Sequence, residues 1–471
     1  MATATATVKP RKKLRILLMP FFATSHIGPF TDLAFHLIAA RPHDVEATVA
    51  VTPANTVVVQ SALARHDADH QVTVKVATYP FPSVDGLPPG VENHSTVKAA
   101  DAWRIDSVAM DEKLMQPGQE SLIREHSPDL VISDIHFWWN VDVATDIGPC
   151  VTFHAIGTFP SLAMFNLSAA GDATDAGSGM VTLLGFPPPQ IQVPTTELPE
   201  MLRRQQITGG HARGNLVSLA HKRCFGLVVN TFFDLEHMHC EMFVGNDYVK
   251  RAYFVGPLSL PSQQVAVGAY DSQCIDWLDK KPPQSVVYLC FGSLTHVSQA
   301  QLRELALGLE AYEKPFLWVI RSETWVPPEG WKERVGDRGM TVILAHHAVG
   351  VFVMHCGWNS VLETVVAGVP VLTWPMVFEQ FITERFVTEV LAIGERLWPQ
   401  GAGVRSTRSG EHELFMEPGG AGDAARSKVK ELFAKACAAM AEGGSSHRDL
   451  HRMIDDLMEA GTAAARPVLS V

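Results

Sequence analysis

The chain has 471 residues, enough for two domains that each bury a core. Hydrophobic residues make up 46% and charged residues 19%, a balance that excludes intrinsic disorder. A net charge of −12 argues against nucleic acid or an anionic membrane surface as the main partner, but not against anionic nucleotides, which are bound by local donors.

At the start of the chain, Arg11-Lys12-Lys13 reads as the end of a solvated tail. The apolar run Ile16–Met19 is too short for a signal peptide and ends at Pro20. No stretch is long enough to suggest an integral membrane segment. Seven cysteines are scattered without a Cys-x-x-Cys pair, which argues against a disulfide framework or structural zinc and suits a reducing compartment. The expectation is a cytoplasmic monomer whose sequons at Asn93 and Asn166 go unused.

Leu14–Met19 reads as a buried strand, and Phe30, Leu33, Ala34, Leu37 and Ile38 fall at helical spacing behind Pro29, a residue suited to a first turn. Further strand-like runs are Val72–Ala77, Leu130–Ser133, Val151–Phe153 and Leu227–Val229. A second series begins at Val286–Leu289, with a helix near Gln299–Leu309 and strands at Phe316–Ile320, Val351–Met354 and Val371–Thr373. Two βα series predict an α/β chain with two doubly wound parallel sheets, whose ligands bind at the carboxyl ends of the strands. The predicted division is 1–255, a linker at 256–269, 270–448, and a C-terminal helix and tail at 449–471, where Leu450, Met453, Ile454 and Leu457 form an apolar stripe.

Two residues stand where strands deliver functional groups. His26 follows the first strand, and an imidazole, titrating near neutrality, suits the removal of a proton from an attacking hydroxyl. Asp134 follows Leu130–Ser133, whereas its rival Asp129 sits at the wrong end of that strand. A carboxylate there can orient the imidazole and stabilise its protonated form. Asp142 and Asp146 read as solvated. No metal site is expected: His346 and His347 are adjacent, so on a helix or strand they cannot face one ion together. Trp138, Trp139, Phe153, Phe159, Met164 and Phe165 are candidates for an apolar pocket, although each alone reads as core.

The densest pattern is His355-Cys356-Gly357-Trp358-Asn359-Ser360, followed by Glu363 and by Glu379-Gln380. A strand runs into a glycine turn and a helix opens at Trp358, which aims backbone N–H groups and a helix dipole at one point, as for a diphosphate. Asn359 and Ser360 add donors, and Glu363 can accept from ribose hydroxyls. Ser293, after the strand ending near Leu289, reads equally as a turn or as a donor contact.

This pattern, with Gly368-Val369-Pro370 and Trp374-Pro375, resembles the donor signature of the plant UDP-dependent glycosyltransferases, the family 1 glycosyltransferases. The resemblance implies a GT-B fold, with two Rossmann-like domains facing a cleft and the C-terminal helix bracing the first. It implies inverting transfer of a sugar from a UDP-sugar to a small lipophilic acceptor, with the UDP-sugar as co-substrate and neither cofactor nor metal. His26 would be the base and Asp134 its partner. His355, Gly357, Trp358, Asn359, Ser360 and Ser293 would hold the donor, Glu363 the ribose and Glu379-Gln380 the sugar, with Gln380 pointing to glucose.

The signature departs from the family at its opening. A Trp-Ala-Pro-Gln run, which stacks on and bonds the uracil, should stand about fifteen residues before His355, and counting back finds Asp337-Arg338-Gly339-Met340. The departure implies weakened donor binding, and a catalytically impaired homologue is the competing reading. A second shortfall, near Glu413–Met416, is expected to leave Phe415 and Met416 exposed.

Overall fold

The computed structural model describes residues 13–66, 72–170, 179–188, 190–199, 202–203, 212–245, 248–260, 272–320, 325–340, 346–397, 415–417 and 419–464. Most of the predicted linker at 256–269 therefore lies outside the described residues. In chain order the first strands are β1 (Leu14–Met19), β2 (Val45–Val51), β3 (Lys75–Thr78), β4 (Leu130–Asp134) and β5 (Cys150–His154). They are followed by β6 (Met180–Thr182), β7 (Gln192–Pro194), β8 (Gly226–Val229) and β9 (Ala252–Phe254). The second series is β10 (Val286–Cys290), β11 (Phe316–Trp318), β12 (Gly339–Met340), β13 (Val349–Met354), β14 (Val371–Thr373) and β15 (Gly394–Arg396).

Two sheets result, in the orders β3-β2-β1-β4-β5-β8-β9 and β12-β11-β10-β13-β14-β15, while β6 and β7 pair antiparallel. The central ladders of both sheets are parallel. In each sheet the winding reverses beside the first strand of its series, between β1 and β4 and between β10 and β13. β4 and β13 are buried along their whole length, as parallel strands covered on both faces require. The strands β2, β6, β7, β9, β12 and β15 are not anticipated by the pattern reading, and the run predicted at Val72–Ala77 forms a strand only from Lys75.

The helices that matter for the site are α1 (Thr24–Ala40), α2 (Thr158–Ala170), α3 (Gln299–Tyr312), α4 (Trp358–Ala367), α5 (Gln380–Arg385), α6 (Ala421–Met440) and α7 (Ser445–Ala464). α3 opens with a capping box between Ser298 and Gln301 and buries Leu302, Leu305, Ala306 and Leu309, spaced on one face. α1 corrects the reading of Pro29: the helix starts at Thr24, so the proline lies inside it and His26 sits in its first turn instead of a loop. So near the N-terminus, the missing proline N–H forfeits one ladder bond only.

By contacts the chain divides into two compact units, one of Met1–Phe153, Arg223–Leu227 and Leu450–Val471, the other of His154–Lys222 and Val228–Asp449. In the first unit, α7 buries Leu450, Met453, Ile454 and Leu457, and Arg41 donates to His451 Nδ1 at 3.1 Å and Asp455 Oδ1 at 2.8 Å. Among the described residues, no helix is long and apolar enough to cross a membrane. Asn93 of the first sequon is buried and donates to Asn55 Oδ1 at 2.6 Å.

The second unit corrects the expectation for Phe415 and Met416. Phe415 is buried in a cluster with Phe316, Trp331, Val351 and Leu372, and Met416 packs partly buried against it. Gly422 makes this possible, because a Cβ there would lie 1.8 Å from the Phe415 carbonyl oxygen. Replacing Phe415 with alanine is expected to cost about 3–5 kcal/mol in the unfolding of this unit. Denaturant titration of the full chain measures it, and a loss below about 1 kcal/mol would mean that the ring does not hold the cluster.

Candidate active site

In the first unit the site grows from the point where β1 and β4 diverge, with Met19 in register with Ser133. Asp134 is the last residue of β4 and its side chain has 0% exposure. Its Oδ2 accepts from the Phe21 backbone N–H at 3.2 Å and faces His26 Nδ1 at 2.8 Å. Its Oδ1 accepts from the His136 backbone N–H at 3.1 Å and faces His136 Nδ1 at 2.6 Å. Burial alone would raise this carboxyl, but the charges and hydrogen bonds of His26 and His136 overcome it and hold the group well below the usual carboxylate range. An ionised carboxylate only accepts, so each imidazole directs a protonated Nδ1 at it.

His136 escaped the sequence reading. It follows Asp134 by two residues, and its ring stacks on Phe21 at 4.4 Å and meets His26 edge-on at 5.3 Å. Asp129 stands at the other end of β4, where it accepts from the Arg15 backbone N–H at 2.9 Å. Asp142 is exposed and paired with Arg223.

In the second unit, β13 ends at Met354 and the chain turns through His355, Cys356 and Gly357 into α4. Cys356 is fully buried, in keeping with a packing role, and holds φ at +63°. Space for His355 is made by two glycines: a Cβ on Gly292 or on Gly357 would lie 2.4 Å from its Nε2. Burial pushes the His355 imidazole down to about 4, so it is neutral at neutral pH, and its Nδ1 has no hydrogen-bond partner among the described residues. The N-cap of α4 is Gly357, which has no side chain to cap the first-turn amides, the groups that an anion would meet. Ser360 is buried and Glu363 exposed on that helix, and Ser293 follows Gly292 in the turn after β10.

Trp358 offers only its backbone to such an anion. Its indole is buried and donates to the Asn230 carbonyl at 2.8 Å. Gln380 is buried at the start of α5, next to Glu379, and its Oε1 accepts from the Met376 and Val377 backbone N–H groups at 2.9 and 3.0 Å. With that oxygen engaged twice, the amide presents its donors. Behind it, Glu384 accepts from Thr373 Oγ1 at 2.7 Å and Arg385 Nη1 at 2.9 Å, and Arg385 also reaches Glu197 at 2.6 Å.

Trp138, Trp139, Phe153 and Phe159 are buried, as the core reading of each alone expects, while Met164 and Phe165 are half-buried. His346 and His347 lie at a turn, on neither helix nor strand, so their rings sit side by side with centroids 4.4 Å apart. His346 is nonetheless occupied, accepting from the Ala348 N–H through Nδ1 and facing Asp279 through Nε2, both at 3.2 Å. Asp337–Met340 form a short helical turn and the edge strand β12, and Arg338 donates to the carbonyls of Glu310 and Arg334. Thr341–Ala345, which follow, lie outside the described residues.

Residues 272–396 match the family described as UDP-glucoronosyl and UDP-glucosyl transferase. UDP-glycosyltransferase 73E1 of Stevia rebaudiana is 33% identical over an alignment that covers 96% of this chain and 98% of that protein. The chain belongs to the plant family 1 UDP-glycosyltransferases. Scopoletin glucosyltransferase of Nicotiana tabacum is 32% identical, covering 94% of this chain and 98% of its own length. The crystal structure of Glycyrrhiza uralensis UGT73P12 complexed with glycyrrhetinic acid 3-O-monoglucuronide matches with a TM-score of 0.80 at 26% identity, over 96% of this chain and 97% of that one. The two doubly wound sheets are those of the GT-B fold. In this family the UDP-sugar is a co-substrate, and no cofactor is needed. The Stevia alignment spans 505 positions, more than this chain contains, so that relative carries segments this glycosyltransferase lacks.

A carboxyl held low in the folded state stabilises it fully above the unfolded value, near 3.9, and loses that effect as pH falls below it. The stability gap between the wild type and Asp134→Asn is therefore expected to narrow below about pH 5. Urea midpoints of both proteins between pH 7 and pH 3 measure this; a constant gap would show that the Asp134 charge is not what stabilises the fold.

Proposed function

We propose that this glycosyltransferase moves a sugar, glucose in preference, from a UDP-sugar to a hydroxyl of a small lipophilic acceptor, with inversion and with His26 as general base. The observation that carries the reading is the 2.8 Å contact between His26 Nδ1 and the buried Asp134 carboxylate, which leaves Nε2 as a lone-pair acceptor. The acceptor oxygen forms a bond to the anomeric carbon as its proton passes to Nε2, and the bond from that carbon to the diphosphate breaks, releasing UDP. Asp134 stabilises the imidazolium that forms.

For the donor, the open first turn of α4 with Gly357, Trp358, Asn359 and Ser360, together with His355 and Ser293, suits a diphosphate. His355 stands there as a neutral ring, since burial holds it uncharged. Glu363 is assigned to the ribose, and Glu379 and Gln380 to the sugar hydroxyls. The lean to glucose rests on the glutamine at position 380, which the resemblance associates with glucose, and on relatives named as glucosyltransferases. Relatives named for scopoletin, flavonoid and anthocyanin substrates support a lipophilic hydroxyl acceptor.

His26→Ala is expected to lower turnover by roughly a hundred- to ten-thousand-fold while UDP affinity stays within a few-fold. Rates with UDP-glucose and UDP-galactose, and calorimetry with UDP, make the comparison. Normal turnover in the variant removes His26 from the mechanism, and a preference for galactose removes glucose.

A second reading, a glycosyltransferase with weakened donor binding, draws on the absent Trp-Ala-Pro-Gln opening. Loss of base stacking, about 1–3 kcal/mol, and of one hydrogen bond, about 0.5–1.5 kcal/mol, corresponds to a ten- to two-thousand-fold weaker donor. The expected result of calorimetry is weak UDP binding with little discrimination against ADP. Low-micromolar UDP binding with rejection of ADP would mean that another residue reads the uracil.

A further inference from the structure

Two imidazoles share one carboxylate in the first unit, and only one of them has a part in the transfer proposed above. We propose that His136 is a positioning residue that divides the Asp134 charge with His26, so that the acid loss of activity follows two imidazole protonations instead of one. The inference rests on His26 being the base.

The geometry is symmetrical in its chemistry. Oδ2 takes the Phe21 amide and His26; Oδ1 takes the His136 amide and its ring. Each oxygen thus has one backbone donor and one imidazole, and the carboxylate has 0% exposure. During transfer His26 becomes an imidazolium and needs that charge. If His136 is already protonated, its cation has claimed the carboxylate and also stands 5.3 Å from the His26 ring, centroid to centroid. Both effects disfavour the proton that His26 must accept, so the titrations are coupled.

The surrounding groups leave this pair to itself. Phe21 packs between His136 at 4.4 Å and His94 at 5.8 Å. His94 is engaged with its own carboxylate, Asp106, at 2.7 Å. Tyr79 is buried, and burial holds its hydroxyl protonated.

The test is the acid limb of kcat/KM against pH for the wild type, His136→Asn and His136→Phe. Asparagine keeps an N–H donor without titrating, and phenylalanine keeps the stack on Phe21 without the donor. On logarithmic axes the wild-type limb should break from a slope of one to a slope of two as the second imidazole protonates, and both variants should keep a slope of one throughout. At pH 8, His136→Phe should lose about tenfold and His136→Asn recover most of that loss. A role in packing alone would leave the slope unchanged, and a wild-type slope of one overturns the proposal.

Imidazole titration by NMR gives a readout that needs no turnover. The His26 signal should follow a two-step curve in the wild type and a one-step curve in His136→Asn. If the wild type fails to transfer sugar but shows the two-step curve, the functional reading fails and the shared carboxylate stands. A one-step curve in the wild type overturns the sharing whatever the activity.

Discussion

The Asp134 carboxylate is the point on which the first unit's chemistry turns. A charge removed from water must be repaid by donors close at hand, or the group would simply take up a proton. Here the donors come from three separate pieces of chain: the turn after β1, the first turn of α1 and the turn after β4. Satisfying one ion therefore fixes the entry to α1, the pose of His26 and the path of the chain beyond β4. The location follows from topology, since β1 and β4 are neighbours whose connections leave in opposite directions, and a gap opens at their carboxyl ends.

The second unit solves a different problem. Here burial keeps His355 neutral, and the N-cap of α4 is Gly357, which makes no side-chain cap hydrogen bond. The ions lie behind. Buried Glu384 and Arg385 join half-buried Glu197 and Arg396 in a network that anchors α5, and Gln380 stands on that helix with its oxygen already committed to two backbone amides. A side chain so held can select by direction, because rotation to suit another ligand would strand those amides.

How much of this was legible in the sequence depended on whether a feature is local. His26 and Asp134 could be placed because each follows a short apolar run, and strand polarity decides which end faces a ligand. The run from His355 to Ser360 could be read because glycine, a first-turn amide and a helix start are neighbours in the chain. His136 could not, because a histidine two residues beyond a strand end has no pattern to mark it; its partnership needs the turn that folds its ring back on Asp134. The start of α1 was misjudged because proline is permitted at a first position and merely tolerated a little further in. Phe415 looked exposed because its flanking sequence is short, whereas its burial depends on Gly422, seven residues on, letting α6 close over it. The two adjacent histidines were read by the alternation of regular elements, which does not apply at a turn.

Gly292 and Gly357 approach the same imidazole from two separate turns, and neither leaves room for a single methyl group. The pair makes the donor half intolerant of drift in a particular way. An alanine at Gly357, where the backbone is in an ordinary extended conformation, would cost nothing in local geometry, yet it would have to displace His355. At Gly292, with φ at +69°, the same change would strain the backbone as well. Displacement of His355 can therefore arrive through a residue with no chemistry of its own, in a chain that had kept every polar group of the signature.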